Sequence, residues 1–106
     1  MQKGILFLLF LLPFTLLGQS SDSTAVRAEI DSLDVQFKQL MKAREFTQAE
    51  IVIDSIIEKV LAIYGTDHHL YGNNVYLKGL TLYYRGQYPK TKPLWLKARN
   101  IMEISK

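Results

Sequence analysis

Apolar residues lie along one side of four successive segments, and the pattern of the first two segments returns 42 residues later in the last two. Val26, Ile30, Leu33, Phe37, Leu40 and Met41 recur at steps of three and four, the spacing of one helical face. That predicts a helix capped by Asp22 or Ser23 and ending near residues 43–45. Thr47-Gln48-Ala49-Glu50 reads as a capping box, with Phe46 folding over Ile51 as a hydrophobic staple. Behind it Ala49, Val52, Ile53, Ile56, Ile57, Val60, Leu61 and Tyr64 form a broad apolar stripe, and Glu50, Asp54 and Glu58 occupy another, solvated side. Gly65 ends this second helix. Asp67 is placed to cap a third, from about Leu70 to Arg85, and Gly86 stops it. Tyr88-Pro89 opens the fourth, whose inner face is Thr91, Leu94, Trp95, Ala98, Ile101 and Met102. Pro93 removes one intrahelical bond there and predicts a bend.

A shift of 42 pairs Leu33 with Val75, Leu40 with Leu82, Met41 with Tyr83, Phe46 with Tyr88, Ile53 with Trp95, Ile56 with Ala98 and Val60 with Met102. Side-chain character is kept where identity is not. Two helical hairpins, neither able to bury its own apolar face, stack in such a chain as the start of an α-solenoid. The expected fold is therefore all-α: four helices in two tandem units, one at about 24–64 and one at about 70–104.

The whole chain has 106 residues, and its beginning stands apart. A basic Met1-Gln2-Lys3, a nearly uninterrupted apolar run of 13 residues from Ile5 to Leu17 that includes Pro13, and Gly18 before Gln19 make a secretory signal over residues 1–18. The run is shorter than the roughly 20 residues that cross a bilayer as a helix, so no stable membrane insertion is expected after cleavage. Without cysteine, no lipid-modified anchor follows the leader and no disulfide staples the product. The expectation is an exported protein, periplasmic or secreted, with residues 19–106 as its domain.

Charge is unevenly placed. Residues 22–67 hold nine acids and five bases, net −4, and residues 68–106 hold one acid and seven bases, net +6. Two differently charged solvated faces account for this, as does complementarity towards a partner or a second copy.

Candidate chemistry is sparse. Asp67-His68-His69 offers two adjacent imidazoles without a third ligand or the i, i+4 spacing of a helical metal site. No cysteine, and no serine or threonine motif paired with these histidines, supplies a nucleophile, and no glycine-rich phosphate loop exists. Neither a catalytic set nor a cofactor or metal site is expected, so the chain is read as non-enzymatic. Basic residues Lys78, Arg85, Lys90, Lys92, Lys97 and Arg99 show no nucleic-acid module spacing, and export argues against that partner.

The stretch from Lys59 to Glu103 contains a Gly65-x-Asp67-His68 link, Leu80-x-x-Tyr83-x-x-Gly86-Gln87-Tyr88 and Ala98-x-x-Ile101-x-Glu103. It resembles a tetratricopeptide (TPR) repeat of the 42-residue kind found in kinesin light chain. Gly79, Gly86 with Tyr88, Ala98, and Pro93 before Leu94-Trp95 stand at positions of that pattern, and Phe46 and Ala49 match the first unit. Phe37, Thr91 and Lys78 depart from it. The resemblance implies two TPR hairpins whose third helix lines a concave groove. It points to Asn73, Tyr76, Leu80 and Tyr83 on that helix, with Trp95 and Met102 on the last apolar face, as residues that meet a protein or peptide. The function it implies is an interaction or assembly module. The alternative is the non-catalytic leading part of a larger exported TPR protein that carries a caspase-like protease domain. Since Trp95, Ile101 and Met102 are followed by no polar capping helix, the expectation is either a longer array or association through the last hairpin.

Overall fold

The computed structural model describes residues 22–106, so the leader at 1–18 lies outside the described residues. Four helices follow one another: α1 Asp22–Lys42, α2 Phe46–Tyr64, α3 His69–Tyr84 and α4 Tyr88–Ile104. No strand occurs among the described residues. The fold is all-α and built of helical hairpins. Each helix packs chiefly on its neighbours in sequence, α1 on α2, α2 on α3 and α3 on α4, so the layers follow one another and do not close into a bundle.

The two hairpin turns agree bond for bond at the 42-residue shift. In the first, the amides of Arg44 and Glu45 donate to the carbonyls of Met41 (3.0 Å) and Leu40 (2.9 Å). In the second, those of Gly86 and Gln87 donate to Tyr83 (3.0 Å) and Leu82 (2.9 Å). Both turns pass through a left-handed residue, Gly86 at φ 79° and Arg44 at φ 62°. Glycine takes this geometry without a Cβ penalty, whereas arginine accepts strain and lays its guanidinium over the Phe46 ring at 5.5 Å.

The core runs along the α2 stripe read from the sequence. Ala49, Val52, Ile53, Ile56 and Val60 are buried, with Phe37 from α1, Tyr71 and Val75 from α3, and Ala98 and Ile101 from α4. Phe37 is well packed despite departing from the small residue of the resembling pattern. Thr91 is accommodated too, for its hydroxyl donates to the carbonyls of Gln87 (3.1 Å) and Gly79 (3.3 Å) inside the second hairpin.

Three local expectations are corrected. The second helix begins at Phe46 and not after Thr47, and Glu45 in the capping position makes no side-chain bond. Thr47 and Glu50 therefore form no capping box: Arg85 takes the Glu50 carboxylate, and Ile51 stays 67% exposed while Phe46 stacks on Tyr84 at 5.2 Å. Tertiary partners outbid a local motif worth about 1 kcal/mol. Asp67 does not cap α3; the Nδ1 of His68 accepts from the Leu70 amide at 3.1 Å, and Asp67 accepts from the Thr66 hydroxyl. Nor is the acidic side of α2 simply solvated. Asp54 pairs with Lys78 at 2.7 Å and Glu50 with Arg85, so part of the charge contrast between the hairpins is spent holding α3 on α2.

Candidate interaction site

Two of the clefts along the helices stand in the same register. The first, about 330 Å³, is lined by Ile30, Asp31 and Asp34 of α1, by Ile56 and Val60 of α2, with Arg27 and Tyr64 at its end, and by Leu70, Asn73 and Asn74 of α3. The second, about 380 Å³, is lined by Gly72, Asn73 and Tyr76 of α3 and by Trp95, Ala98, Arg99 and Met102 of α4. Adding 42 to Ile30, Asp31, Asp34, Ile56 and Val60 gives Gly72, Asn73, Tyr76, Ala98 and Met102. The second cleft thus repeats the first, but among the described residues it has two walls where the first has three. α3 supplies that third wall to the first cleft, and Asn73 lines both.

The consequence shows in exposure. Ile53 and Val60 are 0% and 1% exposed under α3. Their counterparts are more open, Trp95 half-buried and Met102 42% exposed. The indole of Trp95 meets the α3 backbone with its Cδ1–Nε1 edge, Nε1 donating to the Tyr76 carbonyl at 3.2 Å. Only glycine permits this approach, since a Cβ on residue 79 would stand 2.7 Å from both Cδ1 and Nε1 of the ring. Tyr76 and Tyr83 stack on the same indole at 5.6 and 5.9 Å, and Tyr88 meets Tyr83 edge to face at 5.2 Å. The result is a cluster of aromatic rings in which Tyr76, Tyr83 and Tyr88 remain exposed, the composition that gives interfaces area at little conformational cost.

Of the residues singled out in the sequence, Asn73, Tyr76, Trp95 and Met102 come together in one cleft. Tyr83 joins Trp95 in an adjacent shallow cleft with Tyr88, Thr91 and Lys92. Leu80 is half-buried and lines neither. Tyr84 packs on the first hairpin through Phe46, as an aromatic in a helical stripe usually does. Sequence reasoning missed Arg99, which puts a cation on the wall of the second cleft, and the polar lining of the first. The signal was present, for Asp31 and Asp34 stand 42 residues before Asn73 and Tyr76.

No group of three or more histidine, aspartate or glutamate side chains is placed to hold a metal among the described residues. His68 stacks between Tyr64 and His69, at 4.4 Å from each, while it caps α3. No helix among the described residues is long and apolar enough to cross a membrane. Comparison with known protein families, curated proteins and solved structures finds no match to this chain.

Proposed function

We propose that this chain is an exported TPR module that binds a protein or peptide partner through the groove lined by α1 and α3 and through the open face of α3 and α4. The observation that carries the reading is the incomplete second cleft. Its register equivalent is closed by a helix, so a helix or extended peptide is the shape that fits beside Tyr76, Trp95 and Met102. Support for the TPR assignment comes from the 42-residue period, the matching hairpin turns, and Gly79 and Ala98 at the close contacts between helices. Export rests on the leader at residues 1–18.

A photo-crosslinking amino acid placed at Tyr76, with a control at the exposed Glu58 outside both clefts, tests the reading in the producing cell. A discrete adduct from position 76 and none from position 58 is expected. Equal labelling from both positions, or none from position 76, overturns it.

A further inference from the structure

The open face has a counterpart in the chain itself. At the internal junction α3 closes the first cleft with Leu70, Asn73 and Asn74. Forty-two residues earlier on α1 stand Ala28, Asp31 and Ser32, all exposed, and beyond them Val35, 56% exposed, in the place of Leu77. Among the described residues α1 packs chiefly on α2, so the flank that corresponds to the buried flank of α3 is bare.

We propose that the open face of α3 and α4 receives α1 of a second copy, so that molecules associate head to tail in the register by which α3 sits on α2. This rests on the reading of that face as a binding surface and names its partner.

Size is the first reason. Where α3 brings Leu70, Asn74 and Leu77 to the junction, α1 brings the smaller Ala28, Ser32 and Val35. The face opposite changes in the other sense at two of its three main positions, from Ile53 and Val60 to Trp95 and Met102, while Ile56 becomes Ala98. Bulk removed from one side is largely returned on the other, as close packing requires.

Charge is the second reason, and it selects α1 over α3. Arg99 lines the second cleft, and in the register by which Asn73 reaches the first cleft the α1 residue brought to the second is Asp31. The internal junction is clamped by Lys78 on Asp54 and Arg85 on Glu50. On α4 those acids are replaced by Leu96 and Lys92. A second α3 would bring Arg85 against Lys92, a like-charge contact of the kind that excludes wrong partners. Gln36 of α1 and Ala43 just after it stand at the same two places and bring no such repulsion. The interface is heterologous, so successive copies extend into a chain or close into a ring.

Sedimentation equilibrium of the full chain, purified as the cell processes it, tests this across concentration at low and high salt. Mass that rises with concentration, and rises less in high salt, is expected. The decisive arm uses Asp31→Arg and Arg99→Glu, two surface changes whose folding is checked by circular dichroism. Each variant alone sets like charges across the junction, and its association should weaken about tenfold or more. An equimolar mixture restores opposite charges at both ends, and so does a single chain carrying both changes. Recovery in the mixture to near the native dissociation constant, with a change in Trp95 fluorescence, is the expected result.

A native chain that stays monomeric at every concentration overturns the proposal. If position 76 still captures a discrete partner in the cell, the open face then serves another protein and the interaction reading stands. A complex that stops at two copies and ignores both charge changes points to a back-to-back pair and overturns it as well.

Discussion

Replacing Gly79 by alanine should destabilise the protein, although alanine is the better helix former by about 1 kcal/mol. The added Cβ would lie 2.7 Å from Cδ1 and Nε1 of Trp95, against ordinary carbon contacts of about 3.5–4.0 Å, so the indole must recede by about 1 Å. It has nowhere easy to go. Its Nε1 donates to the Tyr76 carbonyl, and its ring is stacked with Tyr76 and Tyr83. Loss of the hydrogen bond costs about 1 kcal/mol, and loosening each aromatic pair costs about 0.5–1.5 kcal/mol. After the helix-propensity gain a net loss of about 1–3 kcal/mol remains, the usual range for overpacking, and the melting temperature of a domain this small should fall by about 4–24 °C. Urea denaturation followed by circular dichroism and by tryptophan emission measures both parts, because Trp95 is the only tryptophan in the chain. Two companions sharpen the test. At Gly72 a Cβ would meet Ile101 Cγ2 at 3.0 Å, Met102 Sδ at 3.1 Å and Ile101 Cβ at 3.2 Å, which asks for shifts of a few tenths of an ångström against the about 1 Å at Gly79, so Gly72→Ala should cost less. In a Trp95→Leu background the clash disappears, and Gly79→Ala should turn neutral or stabilising. A Gly79→Ala protein as stable as the parent, with unchanged indole emission, refutes the close approach of α4 to α3.

Replacing Lys78 and Arg85 together by methionine keeps their stems and removes the clamp between the hairpins. These partly exposed pairs contribute about 0.5–1 kcal/mol each, so urea midpoints should drop by a corresponding amount at low salt and much less at high salt; a loss that salt does not reduce speaks against an electrostatic clamp. His68→Ala should cost about 1 kcal/mol by removing the acceptor for the Leu70 amide, while His68→Asn, which can accept the same bond, should cost little; equal losses measured by thermal unfolding would assign His68 to its stacking with Tyr64.

Helix number and type were legible because apolar spacing reports directly which side of a helix is buried, and four amphipathic stripes separated by Gly65, Gly86 and the polar link at 43–45 leave few alternatives. Most of the open face was legible too. Asn73 and Tyr76 lie three residues apart on one side of α3, and Trp95 and Met102 seven apart on the apolar side of α4, so two helical faces read from spacing meet in one cleft. The capping box at Thr47 and the cap at Asp67 were misread because such motifs specify only local bonds. Whether Glu50 turns back to its own helix or outward to Arg85 depends on a residue 35 positions away.

The sequence by itself determined the all-α class, the helix boundaries to within a residue or two, and which side of each helix is apolar. Those properties follow from local periodicity and need no knowledge of distant neighbours. Tertiary structure alone decided that acids of α2 meet bases of α3, that Trp95 lies against the backbone at Gly79, and that Arg99 enters the second cleft. Each of these depends on how one helix is rotated and translated against the next, a choice made by the summed packing of side chains from both helices and not by the pattern along either one.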